Sequence, residues 1–260
     1  MFNTDLFKEY LKTEWLGLNF IFHKKTDSTN SDLKKIASDD LVHGTVLLAD
    51  HQQNGRGQYN RTWISEPGLN LTFTMAFRPD ETDRLSLLTL STGWALINFL
   101  RCEFQLEGNL KMPNDVLISG KKISGILTEN IFYGSRLDRV LIGVGLNVNQ
   151  SRFSSELNQA TSIRIEKGKP CNREVILAKL LMEIETAYSR WKLGDPDFIR
   201  EINRSIEGYG DWVRITVNNI PEKEKVKLLG VNELGHLLIL TKELEVKKFI
   251  HEQVRIQPDY

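Results

Sequence analysis

The residue types suited to chemistry gather first between Ala49 and Trp63, ADHQQNGRGQYNRTW. Gln52 and Gln53 precede Gly55-Arg56-Gly57, and Arg61 and Trp63 follow. Glycine has no Cβ, so a Gly-Arg-Gly loop lets the backbone come close to a ligand. Exposed backbone N–H groups and guanidinium forks suit phosphate and carboxylate oxygens. Gln52 carries both donor and acceptor atoms. Trp63 offers a flat face for a base or a ring. The same stretch would also serve as a plain hairpin loop with solvated arginines.

Other clusters share this character. In Thr26–Asn30, TDSTN, a side chain of Ser28, Thr29 or Asn30 can cap a helix whose apolar face is Leu33, Ile36 and Ala37. A hydroxyl-rich helix start also suits the polar oxygens of a ligand. Pro113-Asn114-Asp115 breaks one strand from the next. That is either an ordinary turn or one that presents Asn114 and Asp115 beside phosphates. Lys122 sits just past a Gly-Lys turn, beside a strand containing Gly125. A lysine at a hairpin end is usually solvated. Gly143 and Gly145 interrupt an apolar strand, where glycine often marks the close approach of a ligand or another backbone. Asn147 and Asn149 fall two residues apart on one face of that strand.

The elements that must position these residues follow from periodicity. A helix is expected over residues 4–16, with Thr4 as cap and Leu6, Phe7, Tyr10 and Leu11 as its stripe. A strand follows at Asn19–His23, and a buried strand at Thr45–Ala49 leads into the loop. Asn70–Arg78, NLTFTMAFR, alternates like a half-buried strand. Residues 84–105 form one long helix, apolar nearly all round, to be buried against a sheet, with Trp94 and Met75 in the core. Strand, turn and strand recur over 110–132, with a turn at Ser119-Gly120. RVLIGVGLNVN at 139–149 is too apolar to face water on either side. An amphipathic helix capped near Asn172 runs to about residue 192, and a shorter one starts at Asp195 or Asp197. From 212 to 257 the pattern changes to four or five short strands with turns at Asn218-Asn219, Asn232-Glu233 and Leu234-Gly235, a small β-barrel. This divides the chain into residues 1–208 and 209–260.

Composition narrows the classes. Lysine plus arginine equals aspartate plus glutamate, 34 each, so no bulk charge marks nucleic acid or an anionic membrane as a partner. No apolar run reaches the ~18–20 residues of a membrane span. The first residues, MFNTDLFKEY, hold early acids and no apolar signal core. Cys102 and Cys171 make no disulfide framework or CxxC pair, and the scattered histidines show no metal spacing. A reducing, cytoplasmic location is expected.

TDSTN, QQNGRG at Gln52–Gly57, KMPND at Lys111–Asp115, KKISGIL at Lys121–Leu127 and GVGLNVN at Gly143–Asn149 stand in one order and spacing. By them the chain resembles the biotin–protein ligases, or biotin–[acetyl-CoA-carboxylase] ligases, from about Asn19 onward. The resemblance implies an α+β fold. A mixed or antiparallel sheet flanked by helices, like that of class II synthetases, would carry a small C-terminal SH3-like β-barrel. It implies ATP-dependent attachment of biotin to a lysine of a biotin carboxyl carrier protein, or of the carrier domain of a biotin-dependent carboxylase, through biotinyl-5'-AMP. ATP and Mg²⁺ would be required. Ser28, Thr29, Asn30 and Gln52 would hold biotin, with Arg56, Gly57, Gln58, Lys122 and Gly125. Arg56, Arg61, Trp63, Asn114, Asp115 and Asn147 would face ATP or the adenylate. Lys122, Arg56 and Asp115 would act in catalysis, Asp115 as a Mg²⁺ ligand or as an aid to deprotonating the carrier lysine. Some members carry an N-terminal helix-turn-helix. The segment ahead of Asn19 is short for one, so that module, and specific DNA binding, are expected to be missing. Homodimerisation is left open.

Two departures stand out. The family loop usually reads GRGRxGR, where this chain has GRGQYNR, with Gln58 for an arginine and Asn60 for a glycine. Loss of that charge should weaken retention of the adenylate, unless Tyr59 compensates by packing on the ligand or on Trp63. Met112 replaces the tryptophan of KWPND, where methionine can fill an apolar gap. Two other readings remain. One is a lipoate or octanoate ligase or transferase of the same fold. The other is a non-catalytic module, a biotin sensor or a nucleic-acid-binding barrel at 212–257.

Overall fold

The computed structural model describes residues 1–58, 61–80, 82–157, 159–250 and 253–257. Helix α1 (Thr4–Tyr10) leads to β1 (Phe20–His23), α2 (Thr29–Lys35), β2 (Thr45–Ala49) and β3 (Leu71–Phe77). The long α3 (Ser86–Phe104) precedes β4 (Gly108–Lys111), β5 (Asp115–Ile118), β6 (Lys121–Tyr133) and β7 (Arg136–Leu146). Then come α4 (Ile163–Lys167), α5 (Arg173–Leu193) and α6 (Pro196–Ser205). The chain closes with β8 (Trp212–Val217), β9 (Ile220–Pro221), β10 (Val226–Val231), β11 (His236–Leu240), β12 (Val246–Ile250) and β13 (Val254–Gln257).

The first seven strands make one sheet in the order β1-β2-β3-β7-β6-β5-β4. Only the β1–β2 pairing in it is parallel. Leu71, Phe73, Met75 and Phe77 of β3 and Val140, Ile142, Val144 and Leu146 of β7 join the main core, with Leu88, Phe99, Leu180 and Ile184 from α3 and α5. On the other face Leu47, Ala76 and Leu141 pack with Leu33 of α2. The pleat therefore sends alternate residues of one strand to two covered faces. Helix α5 starts where Asn172 Oδ1 accepts from Val175 N at 2.9 Å, and stops at Gly194, whose φ is +65°. The remaining strands form a curled, SH3-like antiparallel sheet in the order β12-β11-β10-β8-β13, with β9 added to β8. Among the described residues, no helix is long and apolar enough to cross a membrane.

Several sequence expectations need correction. Helix α1 ends at Tyr10, not at residue 16, and its cap is Asn3, whose side chain accepts from Asp5 N and Leu6 N. The Glu185 carboxylate of α5 accepts from the backbone N–H groups of Glu14, Trp15 and Leu16, and these bonds fold that segment away from a helix. Every residue of β3 is buried, not half of them, because its threonine face lies under another layer and not under solvent. The small sheet holds six strands, β9 being the short extra one. Strand β7 ends at Leu146, so Asn147 and Asn149 share no strand face.

Candidate active site

The cavity is built by strand register. On one face of the large sheet a row runs Ala49, Thr72, Gly145, Gly125, Asp115 and Lys111, each paired across to the next. A second row runs Leu47, Thr74, Gly143 and Leu127. The glycines leave a floor where larger residues would stand. A Cβ on Gly145 would lie 2.2 Å from Trp63 Cε2, and one on Gly143 2.2 Å from Asn30 Oδ1. These glycines are required by close approach, as the strand pattern anticipated, and the groups that approach are an indole and an amide.

The wall at α2 is a polar network. Ser28 is the N-cap residue, yet its side chain makes no capping bond. Gln52 Oε1 instead accepts from Thr29 N at 2.8 Å and from Thr29 Oγ1 at 3.0 Å. The expected local cap is thus supplied from the loop. Thr74 Oγ1 lies 2.7 Å from Thr29 Oγ1 and 2.6 Å from Asn30 Oδ1. Asn30 Nδ2 donates to Glu129 Oε2 at 2.7 Å, and Arg56 Nη2 donates to the same oxygen at 2.9 Å. A single carboxylate therefore ties the helix to the loop.

The loop is folded on itself. Gly57 N donates to Arg61 O at 2.7 Å, Arg61 N to Gln58 O at 3.2 Å and Trp63 N to Gly55 O at 2.9 Å. A Cβ on Gly55 would sit 2.4 Å from Trp63 O, so this crossing of backbones needs glycine. Trp63 is laid over Gly145 and Gly125. Tyr59 and Asn60, and the packing expected of Tyr59, fall outside the described residues.

Opposite stands a second cation on a carboxylate. Lys122 Nζ lies 2.6 Å from Asp115 Oδ1 and 5.6 Å from the centre of the Trp63 ring. Asn114 Nδ2 donates to Ile126 O at 2.7 Å, and Ile126 N returns a bond to Asn114 O, so this turn is fastened to β6 and holds Asp115 in place. Met112 is buried at the cavity edge. The cavity, partly open to solvent, has a volume of about 320 Å³.

Ser28, Thr29, Asn30, Gln52, Arg56 and Gly57 all line it. So do Gln58, Arg61, Trp63, Asn114, Asp115, Lys122 and Gly125. Asn147 differs from its expected place. It is buried just past the end of β7, donates from Nδ2 to Thr161 O at 3.0 Å, and is not among the lining residues of the cavity. Three groups escaped sequence reasoning. Glu129 was marked only by its even spacing from Gly125 along a half-buried strand. Thr74 was hidden in an alternating run read as half solvated. Arg255 lies far along the chain, between the buried Val254 and Ile256.

A family model for the biotin/lipoate A/B protein ligases matches residues 22–147. Over 250 residues the chain is 30% identical to the bifunctional ligase/repressor BirA of Bacillus subtilis, spanning 95% of this chain and 76% of that one. The chain belongs to the biotin/lipoate protein ligase family. It is 29% identical over 207 residues to the biotin–[acetyl-CoA-carboxylase] ligase of Mycobacterium tuberculosis, covering 77% of this chain and 75% of that protein. The biotin protein ligase of Aquifex aeolicus, solved in complex with biotin and ATP, matches with a TM-score of 0.80 at 30% identity, over 93% of this chain and 100% of that one. This family member is a ligase, and the α+β fold with its SH3-like sheet is the one those structures share.

Proposed function

We propose that this ligase uses ATP to attach biotin to a lysine of a biotin carboxyl carrier protein, or of the carrier domain of a biotin-dependent carboxylase, through biotinyl-5'-AMP. The observation that best supports it is the pair of cations, Lys122 on Asp115 and Arg56 on Glu129, facing one glycine-floored cavity. In the first step a biotin carboxylate oxygen attacks the α-phosphorus of ATP. The new O–P bond forms as the bond to the bridging oxygen breaks, and pyrophosphate leaves with that electron pair. Two anions must meet, and fixed positive charge lowers the cost of their approach. Lys122 is a compact charge on a flexible stem, suited to leaving Asp115 for the reacting oxygens.

Ser28, Thr29, Asn30 and Gln52 would bind the ureido group, with Gly57, Gln58 and Gly125 along the rest of biotin. Arg61, Trp63 and Asn114 would border the nucleotide, and Asn147, bonded to Thr161 O, would support that side without lining the cavity. Magnesium is held by one or two carboxylates together with substrate phosphates and water. Asp115 fits that donor set as a single protein ligand, and among the described residues no group of three metal-binding side chains gathers. Bound with ATP, the ion would supply further positive charge to the phosphates. In the second step the uncharged carrier amine attacks the acyl carbon, the bond to the phosphate oxygen breaks, and AMP leaves. The nitrogen then gives up a proton, for which Asp115 is the near carboxylate once Lys122 has moved.

Incubation with biotin, MgATP and a carrier domain, followed by mass spectrometry, tests this directly. The expected product is one biotin on one carrier lysine. Transfer of lipoate or octanoate in its place would move the assignment to the other branch of the family. Biotin binding with no adduct would leave a binding module.

A further inference from the structure

Among the described residues lining the cavity, Arg255 is the one that comes from the small C-terminal sheet. Its direction follows from the pleat. On β13, Val254 and Ile256 are buried in the small sheet, so Arg255 between them points to the other face. Pairing of Arg255 with Thr216 and of Ile256 with Ile215 on β8 fixes that register. Arg255 Nη1 donates to Val254 O at 3.0 Å, and Nη2 reaches Gln58 Oε1 at 3.4 Å. Gln58 lies in the turn that the Gly57 N–Arg61 O bond closes, and its own carbonyl accepts from Arg61 N. A neutral side chain on the loop thus meets a guanidinium from a different sheet.

We propose that Arg255 is a positioning residue that latches the 52–63 loop through Gln58. In doing so it brings to the cavity a positive charge that the loop itself lacks at position 58. A guanidinium has five N–H donors in a planar fork and can serve a neutral acceptor and a phosphate at once. An amide such as Gln58 can accept from it without the repulsion that a second cation at that position would bring. Loop closure is then coupled to the seating of the C-terminal sheet. The phosphate part of this inference rests on the proposed biotinyl-adenylate reaction, while the latch itself does not.

Two measurements separate the parts. Hydrogen exchange at the Gly57 and Trp63 amides reads loop opening in the ligand-free protein. Arg255→Ala should speed that exchange about three- to tenfold, the scale of one modest hydrogen bond. Exchange at Leu238 of β11 should stay unchanged as a control for folding of the small sheet. Gln58→Ala should have a similar effect, and the double variant should be no faster than either single one. Unchanged exchange in Arg255→Ala, or single effects that multiply in the double variant, would overturn the latch. Labelled adenylate, loaded from biotin and ATP and chased with unlabelled biotin, reads retention. Arg255→Ala should release it several-fold faster and Arg255→Lys by less, with ATP-free biotin affinity within about twofold of the parent. Equal release from Arg255→Ala would remove the phosphate role. If the parent loads no label, the proposed reaction fails, and the exchange experiment still decides the latch.

Discussion

Glu129 shows how much one side chain can hold in this site. Its Oε2 accepts from Asn30 of α2 and from Arg56 on the loop, at 2.7 and 2.9 Å. Glu129→Gln keeps an acceptor and loses the charge. Bonds to charged groups contribute about 1.5–3 kcal/mol, and the partial exposure of Arg56 argues for the low end. We expect biotin affinity to fall roughly tenfold by calorimetry, with the fold intact. An affinity within a factor of two would show that Asn30 and Arg56 hold their places without that carboxylate. Lys122 is a different case, since in the proposed reaction its charge acts mainly as the anions meet. Lys122→Ala should slow pyrophosphate release by about a hundred- to a thousandfold, and a rate within threefold of the parent would remove it from catalysis. Gly143 and Gly145 were legible because glycine is unusual inside an apolar strand, whereas Arg56 and Lys122 stood out from solvated loop cations only through the motifs they sit in. Glu129 and Arg255 were not legible, because each matters only through a partner more than 70 residues away.

At the scale of elements, what could be read was periodicity, and what could not was what covers each face. The alternation in β3 was visible, but the layer over Thr74 was supplied by Thr29 and Asn30 of α2. The end of α1 was invisible because Glu185, on a helix far along the chain, takes the N–H groups that a longer helix would have used. The corner before β2 carries a further consequence. His43 packs among Trp15, Phe77 and Tyr188, and its Nδ1 accepts from Arg78 N at 2.9 Å. Burial, aided by Lys192, lowers its pKa below the ordinary 6.5. The unfolded chain therefore takes up a proton at a pH where the folded chain refuses it, and stability is lost as pH falls through and below 6.5. Thermal unfolding across about pH 7 to 5 should show the parent losing more stability toward acid than His43→Gln. Equal slopes would show that His43 carries no part of the acid sensitivity.

For the whole molecule, the two sheets share one core. Phe198, Ile202 and Ile206 belong to the same hydrophobic cluster as Val213, Leu228 and Ile256. Cutting the chain near Gly210 would strip that cluster, so a truncation would report unfolding before it reported function. The junction offers a gentler handle. Asn203 Nδ2 donates to Val231 O at 2.9 Å, and Val231 N donates to Asn203 Oδ1 at 2.7 Å, both buried. Gly230 sits at φ +85°, where a Cβ would lie 2.5 Å from Asn203 Cγ, so the strand is pressed against this side chain. Asn203→Ala leaves a buried donor and acceptor unpaired at a cost of about 2 kcal/mol or more, which a folded protein can survive. We propose that the small sheet of residues 212–257, although it shares this core, serves the transfer step more than adenylate formation. Loosening its seat should then slow delivery of biotin to the carrier more than it slows pyrophosphate release, both measured on protein shown to be folded by its unfolding curve. If the two rates fall together, the small sheet does no more than support the catalytic one.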